Sequence, residues 1–286
     1  MNYFDLHSFE NFSERDIDIW LNRGLDEVSK KLNLDREQLE QVIIFQEKEV
    51  LERAKKQSID DQSEERQLFR LKIISDYLNE FKDANKTRKA TIVLGQIASG
   101  KSSYCQNLSA NSNAMIVDVD FIKQGYNSIY GLRDDFDEGK GTDYIHEEAS
   151  MLTKKVMAIA ASEGFDLVIP KTAEKKESIT RIVKLLRENN YDITMVYIDL
   201  PIEKCVARNF YRFAYEMENG IPSRLISLET IRKINDSPFR TFAEFLIDNM
   251  GVKNFVAYRN DGDGSPMKEI PLKDILEYYN KNSFGQ

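Results

Sequence analysis

The sequence predicts an α/β fold, with a mostly parallel sheet covered by helices on both faces and preceded by an N-terminal all-α region. Beyond residue 88, apolar runs of strand length alternate with helical patterns, which is typical of a parallel sheet. Residues 1–88 show helical periodicity without strand alternation. The polar stretch 84–89 separates the two patterns, so we predict a helical region at 1–88 and an α/β domain at 89–286.

Three helices are predicted in the N-terminal region. Ser13 is an N-cap candidate for a helix through Leu32, Asp35 begins a second helix through about Lys56, and Ser63 begins a third. The region carries more acidic than basic residues, which argues against binding to nucleic acid. It is either a helical extension of the core or a separable regulatory unit. The third helix has an apolar stripe formed by Leu68, Leu71, Ile74, Leu78 and Phe81.

Five strands and three helices are predicted in the α/β domain. The strands cover 90–94, 114–119, 165–170, 193–200 and 254–258, and the helices lie near 143–163, 174–189 and 202–218. Ligands of such folds bind at the carboxyl ends of the strands. The residues that follow each strand are therefore the candidates for a functional site.

The stretch 95–102 matches the phosphate-binding pattern G-x-x-x-x-G-K-[ST] at every fixed position. Its glycines let backbone N–H groups surround phosphate oxygens, and the positive end of a following helix faces them. Lys101 is predicted to reach the β- and γ-phosphates of a nucleoside triphosphate, and Ser102 to ligate Mg²⁺. The alternative is a glycine-rich turn without a ligand. The predicted nucleotide-binding residues of the loop are Gly95, Gln96, Ile97, Ala98, Ser99, Gly100, Lys101, Ser102 and Ser103.

Two carboxylates, those of Asp118 and Asp120, close the second predicted strand. Alternation along an extended strand sends both to the same side. In a kinase, a carboxylate at this edge accepts the proton of the acceptor hydroxyl. Asp120 is the predicted base because it lies at the tip, with Asp118 and Lys123 as predicted substrate contacts. The alternative is that one aspartate caps the following helix and the other is solvated.

Three arginines follow the fourth predicted strand. Arg208 and Arg212 are four residues apart and hence on one helix face, and Arg224 follows at a short distance along the chain. Such guanidinium groups suit a lid that neutralises charge on a transferred phosphoryl group. Arg212 and Arg224 are predicted to be catalytic, and Arg208 to bind the nucleotide. The alternative is a solvated charged helix face.

The segment 146–150, His-Glu-Glu-Ala-Ser, begins a predicted helix after a Gly- and Asp-rich loop at 131–142. Acidic residues in a first helical turn complement the helix dipole, which accounts for Glu147 and Glu148 without a function. The other interpretation is that the loop folds over a substrate and that Glu147 contacts it.

The composition narrows the setting of the protein. The net charge of −8 argues against a long polynucleotide as ligand but allows a small anion in a local pocket. Two cysteines and two histidines show neither a disulfide framework nor zinc spacing, which favours a reduced, cytoplasmic setting. No apolar run approaches the roughly 20 residues that a membrane helix needs. We therefore expect a protein that binds no membrane.

Together, these residues resemble the zeta-toxin family of P-loop kinases over roughly 91–260. The loop at 95–102 resembles the family's G-Q-P-G-S-G-K-[ST], and 118–123 resembles its D-x-D segment, whose second Asp is the catalytic base. Segment 146–150 resembles an H-E-E-[AS]-S helix start. Segment 223–227 resembles the family's G-R-x-[VI]-P, and Arg212 falls where the family has another phosphate-contacting arginine.

The resemblance implies a P-loop kinase-type α/β fold that uses ATP and Mg²⁺. It also implies phosphorylation of a hydroxyl on a nucleotide-sugar, UDP-N-acetylglucosamine. Family toxins are held silent by a helical antitoxin that covers the nucleotide site. We therefore interpret residues 1–88 as a fused counterpart that acts in cis.

One segment departs from the family pattern and affects the acceptor. The third-strand motif V-[IL]-[DE]-G-T reads V-I-P-K-T at 168–172, so Pro170 replaces a carboxylate that contacts the amino sugar. A second glutamate, which contacts the substrate in some members of the family, would fall near Lys154 of this chain. These changes predict a more anionic acceptor, with Lys171 and Thr172 as substrate contacts. The remaining alternatives are a silent ATP-binding regulator and a kinase for nucleotide or polynucleotide ends.

Overall fold

The computed structural model of the chain describes residues 58–123, 145–202, 204–209, 228–261 and 265–283, with the single positions Asp35, Arg212 and Ile226. The helices predicted at 13–32 and 35–56 lie outside these residues, except for Asp35, which is not helical. The loop predicted at 131–142 also lies outside them.

The described residues form a six-stranded sheet in the order β2-β3-β1-β4-β5-β6. Neighbouring strands from β2 to β5 pair in parallel, and β6 pairs antiparallel with β5 at the edge. The predicted α/β class is therefore confirmed, with a short antiparallel strand that was not predicted. The strands are β1 (Lys89–Gly95), β2 (Met115–Ile116), β3 (Leu167–Lys171), β4 (Asp192–Asp199), β5 (Asn254–Arg259) and β6 (Lys268–Glu269).

Strand β1 lies in the middle of the sheet, between β3 and β4. Ile92, Val93 and Leu94 are fully buried, as expected for a continuous apolar run that is covered on both faces. The loop that follows β1 therefore begins from a buried strand that is paired on both sides. This placement gives the phosphate-binding motif a fixed starting point.

Pro170 sits inside β3, opposite Val93 of β1. The backbone N–H of Val117 donates to the carbonyl of Val168 (2.8 Å), so Val168 turns its backbone groups toward β2. Pro170 lies two residues further along and presents its nitrogen to the same side. Because β2 ends at Ile116, that nitrogen has no β2 strand residue opposite it, and the missing N–H removes no ladder bond.

Seven labelled helices accompany the sheet among the described residues. The buried residues of α4 recur at the spacing that is expected of an amphipathic helix. They are Ile179, Ile182, Val183 and Leu186. The helices predicted at 143–163 and 174–189 are confirmed as α3 and α4, whereas α5, α6 and α7 were not predicted. The helices are α1 (Glu64–Glu80), α2 (Lys101–Ser112), α3 (His146–Glu163), α4 (Lys176–Glu188), α5 (Leu228–Ile234), α6 (Ser237–Asp248) and α7 (Leu272–Ser283).

The described residues divide into two compact units. One lies within Met1–Asn79, Val119–Lys155 and Ala207–Leu225, and we call it the helical unit because its regular elements are helices. The other lies within Glu80–Asp118, Val156–Val206 and Ile226–Gln286, contains every strand, and is called the sheet unit. The predicted domain boundary at 88 stays a prediction.

Helix α1 begins where the sequence predicts, but it buries a different face. The Oγ of Ser63 accepts from the backbone N–H of Arg66 (3.2 Å), which is the bond of an N-cap. Leu68 and Leu71 of the predicted stripe are 61% and 62% exposed. The predicted stripe is therefore wrong at Leu68 and Leu71, although Ile74 is buried as predicted, because the buried face is rotated by about one residue, or roughly 100°. The buried face consists of Phe69, Arg70, Ile73, Ile74 and Tyr77.

The second strand is much shorter than the predicted 114–119. β2 ends at Ile116, and residues 119–123 are helical. Asp118 therefore precedes a helix, in the N-cap position, and Asp120 lies in its first turn. The prediction that Asp120 lies at a strand tip is wrong, since the chain leaves the sheet three residues earlier and the two carboxylates do not follow strand alternation.

Candidate active site

The candidate residues lie in both units. The nucleotide loop, Asp118, Lys171 and Thr172 belong to the sheet unit. The helical unit contains Asp120, Lys123, Glu147, Arg208 and Arg212. Arg224 lies outside the described residues.

The loop after β1 has the backbone of a phosphate cradle. Ala98 and Gly100 adopt left-handed conformations, with φ of 59° and 95°. Gly100 directly precedes Lys101, the first residue of α2. The first turn of a helix leaves backbone N–H groups without intrahelical partners, and those of Lys101, Ser102 and Ser103 are at this end of α2. The arrangement is that of an anion site at a helix N-terminus.

Gly95 is the residue at which the loop has no room for a side chain. A Cβ built there would lie 2.7 Å from the carbonyl oxygen of Ile198 and 2.7 Å from Ser99 Oγ. The first contact is with the backbone of β4, so it cannot be relieved by a side-chain rotation. The first glycine of the motif is therefore required by packing as well as by loop geometry.

Lys101 turns its ammonium group back over the loop. Its Nζ donates to the carbonyl of Gly95 (2.8 Å) and to that of Gln96. These bonds hold a positive charge beside the loop backbone before any phosphate arrives. The predicted role of Lys101 as a phosphate contact fits this position.

Two loop side chains carry buried polar atoms without a hydrogen-bond partner among the described residues. They are Oε1 of Gln96 and Oγ of Ser99, and both residues are more than nine-tenths buried. A buried polar atom without a partner costs free energy, on the order of 1–3 kcal/mol. Together with the first-turn N–H groups, these atoms fit a polar ligand such as a nucleotide phosphate with its hydration or metal shell.

The loop is supported by residues at the carboxyl ends of β4 and β5, which the sequence did not reveal. Nδ2 of Asn260, a buried residue, donates to the carbonyl of Ser99 (2.8 Å). The backbone N–H of Asn260 donates to the carbonyl of Asp199 (2.8 Å). Nε2 of Gln96 donates to Oδ1 of Asp199 (3.3 Å). The expectation that ligand sites lie at strand ends was the one signal that pointed to these positions.

Tyr197 completes this support. Its hydroxyl donates to Oδ1 of Asp199 (3.0 Å), and Arg259 pairs with the other carboxylate oxygen. Burial, together with the nearby Asp199, raises the pKa of Tyr197 far above its usual range. The phenol of Tyr197 therefore remains a proton donor. Asp199 is held by Tyr197 and Arg259 while it accepts a hydrogen bond from Gln96.

Asp118, Lys171 and Thr172 lie at or just after the ends of β2 and β3 in the sheet unit. Lys171 pairs with Leu94, so the end of β3 lies beside the end of β1. Burial raises the pKa of the Cys105 thiol in α2 to about 12, and the charge of the nearby Asp118 carboxylate contributes to the same shift. The Cys105 thiol is therefore neutral at physiological pH and is not a candidate nucleophile.

Asp120 and Lys123 form an ion pair in the helical unit. Nζ of Lys123 lies 3.3 Å from Oδ1 of Asp120. The Asp120 side chain is 78% exposed, whereas that of Lys123 is 11% exposed. A carboxylate that is open to solvent and beside a cation is accessible to an acceptor substrate.

The two glutamates at the start of α3 have different environments. Glu147 is exposed in the first turn, whereas Glu148 is fully buried. Glu148 pairs with Arg66 and Arg70 of α1. The helix dipole alone therefore does not account for Glu148, because two guanidinium groups from a helix some 80 residues earlier pair with it.

The arginines of the predicted lid are partly described. Arg208 lies in the helical stretch 204–209 and is half-buried, while Arg212 is helical and exposed. Their predicted helical setting is confirmed at these positions. Their roles toward phosphate stay predictions.

Among the described residues, no group of three His, Cys, Asp or Glu side chains is placed to hold a metal ion. The predicted Mg²⁺ ligand Ser102 is exposed at the start of α2. One hydroxyl suits an ion that takes most of its remaining ligands from phosphate and water, as Mg²⁺ does. Within the same residues, no helix has the length and apolarity that crossing a membrane requires.

Solved structures share this fold. A chain from the PezAT chromosomal toxin-antitoxin system of the human pathogen Streptococcus pneumoniae superposes with a TM-score of 0.60 at 13% identity, covering 78% of this chain and 97% of that one. A chain of the AvrRxo1-ORF1:-ORF2 complex gives 0.56 at 14% identity, covering 77% and 74%. The same complex with ATP gives 0.50 at 13% identity, covering 96% and 78%. At such identities the likeness establishes the P-loop kinase-like fold alone.

Sequence comparison identifies the family. No curated protein matches the sequence significantly. The profile of the family described as "Zeta toxin" matches residues 74–262 of the 286, well over half of the chain. The matched range contains the phosphate loop, β1 to β5 and every candidate residue. With the P-loop kinase-like sheet and the phosphate cradle at the end of its central strand, this match establishes that the chain belongs to the zeta toxin family.

Proposed function

We propose that the protein is an ATP-dependent kinase that transfers a phosphoryl group to a hydroxyl of a small molecule. The observation that carries the proposal is the loop after β1, with its left-handed backbone, its inward-held lysine and its two orphaned buried polar atoms. Membership in the zeta toxin family supports the same reaction. A structure of similar fold contains ATP, which supports ATP as the donor.

The sheet unit supplies the donor half of the reaction. Backbone N–H groups at the start of α2 bind the phosphate oxygens, and Lys101 exchanges its loop carbonyls for the β- and γ-phosphates. Ser102 would hold Mg²⁺, which neutralises charge on the phosphates. Asn260 and Asp199 keep the loop in its binding conformation through the carbonyl of Ser99 and the amide of Gln96.

One proposed base and three proposed arginines act on the acceptor and on the transferred group. Asp120 accepts the proton of the acceptor hydroxyl. The hydroxyl oxygen bonds to the γ-phosphorus of ATP while the bond from that phosphorus to the β–γ bridging oxygen breaks, which leaves ADP. Lys123, 3.3 Å away, orients the Asp120 carboxylate. Arg212 and Arg224 neutralise the charge that spreads over the transferred group, and Arg208 contacts the nucleotide. The proposal needs only one base and several cations, which is the usual equipment for phosphoryl transfer.

The acceptor proposed on the family resemblance is UDP-N-acetylglucosamine. Asp118, Lys123, Glu147, Lys171 and Thr172 are its proposed contacts. The segment with Pro170 and Lys171 at the end of β3 favours a more anionic acceptor, such as a nucleotide or a phosphorylated sugar, as the second candidate.

The chain is further proposed to be restrained by an antitoxin-like element. A structure of similar fold belongs to a toxin-antitoxin system, which supports a protein partner of that kind. Within the chain, part of residues 1–88 is the candidate for the same task. Cytoplasmic action fits both acceptors, because nucleotides and nucleotide-sugars are made in that compartment.

The full-length protein, ATP and Mg²⁺ incubated with a metabolite extract test the proposed reaction. Mass spectrometry should find a new species heavier by one phosphoryl group, and purified UDP-N-acetylglucosamine and nucleotides then separate the two acceptor classes. Lys101→Ala is the control, since it removes the charge beside the loop and should abolish the product. A product that persists with Lys101→Ala would contradict the proposal. The proposal would also be contradicted if no new phosphorylated species formed either with the full-length protein or with a chain that begins at residue 58 and so lacks most of the proposed restraint.

A further inference from the structure

A buried ion cluster joins α1 to the start of α3. Glu148 is fully buried, and Arg66 reaches both of its carboxylate oxygens, with Nε 3.0 Å from Oε1 and Nη2 bonded to Oε2. Nε of Arg70 lies 2.6 Å from Oε1 of the same carboxylate. The side chains of Arg66 and Arg70 are 15% and 5% exposed. The cluster is a bidentate, charge-assisted arrangement of the kind that fixes geometry most tightly.

The arginines are themselves held in place. Nη2 of Arg70 donates to the carbonyl of Ile59 (3.2 Å), just before α1. The guanidinium of Arg66 lies 4.7 Å from the ring centre of Phe69. Planar groups with several fixed partners have few other positions available. The position of the Glu148 carboxylate is therefore determined by α1 and by the residues just before it.

The same helix contacts the segment that carries Asp120. The rings of Tyr77 and Phe121 meet edge to face, with centres 6.4 Å apart and planes at 83°. Tyr77 is buried on the face of α1 that also contains Phe69 and Ile73. Phe121 directly follows Asp120, as Glu148 directly follows Glu147. Helix α1 thus contacts the immediate neighbour of both candidate acceptor-side residues.

We propose that α1 is a positioning element of the acceptor site, and that Arg66, Arg70 and Tyr77 are its positioning residues. This inference rests on the proposed function. The cluster at Glu148 sets the start of α3 and so places Glu147, while the Tyr77–Phe121 contact sets the helical turn that presents Asp120. Helix α1 is then required for phosphoryl transfer, and any restraint exerted by residues 1–88 comes from outside residues 64–80.

Four variants of the full-length protein test this inference. Arg70→Gln and Glu148→Gln each break the cluster, and Arg70→Lys keeps the charge while losing the planar fork. Lys72→Gln is the matched control, because Lys72 lies on the same helix in an exposed ion pair with Asp76 (2.9 Å). Displacement of a reacting group by about 1 Å is worth up to about 10²-fold in rate.

Turnover is the first measurement. We expect Arg70→Gln and Glu148→Gln each to lower kcat and to raise the KM for the acceptor, so that kcat/KM falls by about 10- to 100-fold. The Kd for ATP should stay within about twofold of wild type. Arg70→Lys should recover part of the loss, and Lys72→Gln should match wild type. Unchanged acceptor kinetics in Arg70→Gln, or an equal loss of ATP binding, would overturn the inference.

Hydrogen exchange is the second measurement, and it does not depend on activity. In Glu148→Gln, amides of 119–123 and 145–150 should exchange at least about tenfold faster than in wild type and in Lys72→Gln, while β1 and β4 keep their protection. If wild type transfers no phosphate, turnover cannot be compared among the variants, and this measurement still decides the positioning role. Unchanged exchange at 119–123 and 145–150 would remove it. Arg70→Lys provides the same comparison if Glu148→Gln does not fold.

Discussion

The side chains of the phosphate loop and the side chains that support them come from distant parts of the sequence. Lys101 and Ser99 were visible in a local motif, and their geometry agrees with it. Asn260 supports Ser99 from 161 residues away, and no short pattern contains that pair. The phosphate loop could therefore be predicted from sequence, whereas its supports could not, because they depend on how the sheet is ordered.

Asp120 offers the most direct test at this scale. Asp120→Asn removes a general base without changing the size of the side chain, so turnover should fall by about 10²–10⁴-fold while the Kd for ATP stays within about twofold. Steady-state kinetics and calorimetry measure the two quantities. Asp76→Asn is the control, since Asp76 is an exposed carboxylate in a surface ion pair and should have no effect. Wild-type turnover in Asp120→Asn would remove the assigned role.

Gly95 offers a second test. A methyl group at this position meets the carbonyl of Ile198 at 2.7 Å, so Gly95→Ala should displace the loop, weaken ATP binding at least about tenfold and cost about 1–3 kcal/mol of stability. Gly251→Ala is the matched control, because its φ of 85° also disfavours a side chain at a site remote in sequence from the loop. That variant should lose stability without losing ATP affinity. Similar ATP affinities for the two variants would contradict the packing argument.

At the scale of single elements, strands and strongly periodic helices were predictable and boundaries were less so. Helix α4 combines a clean stripe with a confirmed position. The buried face of helix α1 was predicted wrongly at Leu68 and Leu71, because these two leucines continue an apolar stripe in the sequence. The observed buried face includes a charged residue, Arg70. Periodicity assumes that charged residues face solvent, and that assumption fails where a carboxylate elsewhere in the chain is buried with them.

The orientation of α1 can be tested with neighbouring residues. Phe69 is 3% exposed and Leu68 is 61% exposed, so Phe69→Ala should cost about 3–5 kcal/mol and Leu68→Ala less than about 0.5 kcal/mol. Urea unfolding followed by circular dichroism measures the difference. The apolar stripe predicted from the sequence gives the reverse order, so a larger loss in Leu68→Ala would favour that stripe.

At the scale of the whole molecule, the fold class followed from the alternation of strands and helices, and the strand order did not. The position of β1 between β3 and β4 results from crossover connections that periodicity does not encode. The same limit applies to the acceptor. The sequence identified a departure at Pro170, but it did not show which side chains the fold brings beside the end of β3.

Alkaline pH should destabilise the whole molecule through its buried acids. Burial raises the pKa of Cys105 from 9.0 to about 12, so between these values the unfolded chain loses a proton that the folded chain keeps. Stability is therefore retained below pH 9 and falls above it, by about 1.4 kcal/mol per pH unit for this thiol. Urea unfolding at pH 8 and 10.5 should show about 2 kcal/mol less loss in Cys105→Ala than in wild type. Equal losses would contradict the shifted thiol.

The bond from Asn260 to Ser99 also has a consequence for the order of synthesis. The phosphate loop leaves the ribosome 161 residues before the side chain that holds its carbonyl. A nascent chain that has not reached Asn260 lacks the donor that fixes the loop. The phosphate loop is therefore held in its observed conformation only after β5 and Asn260 have been synthesised.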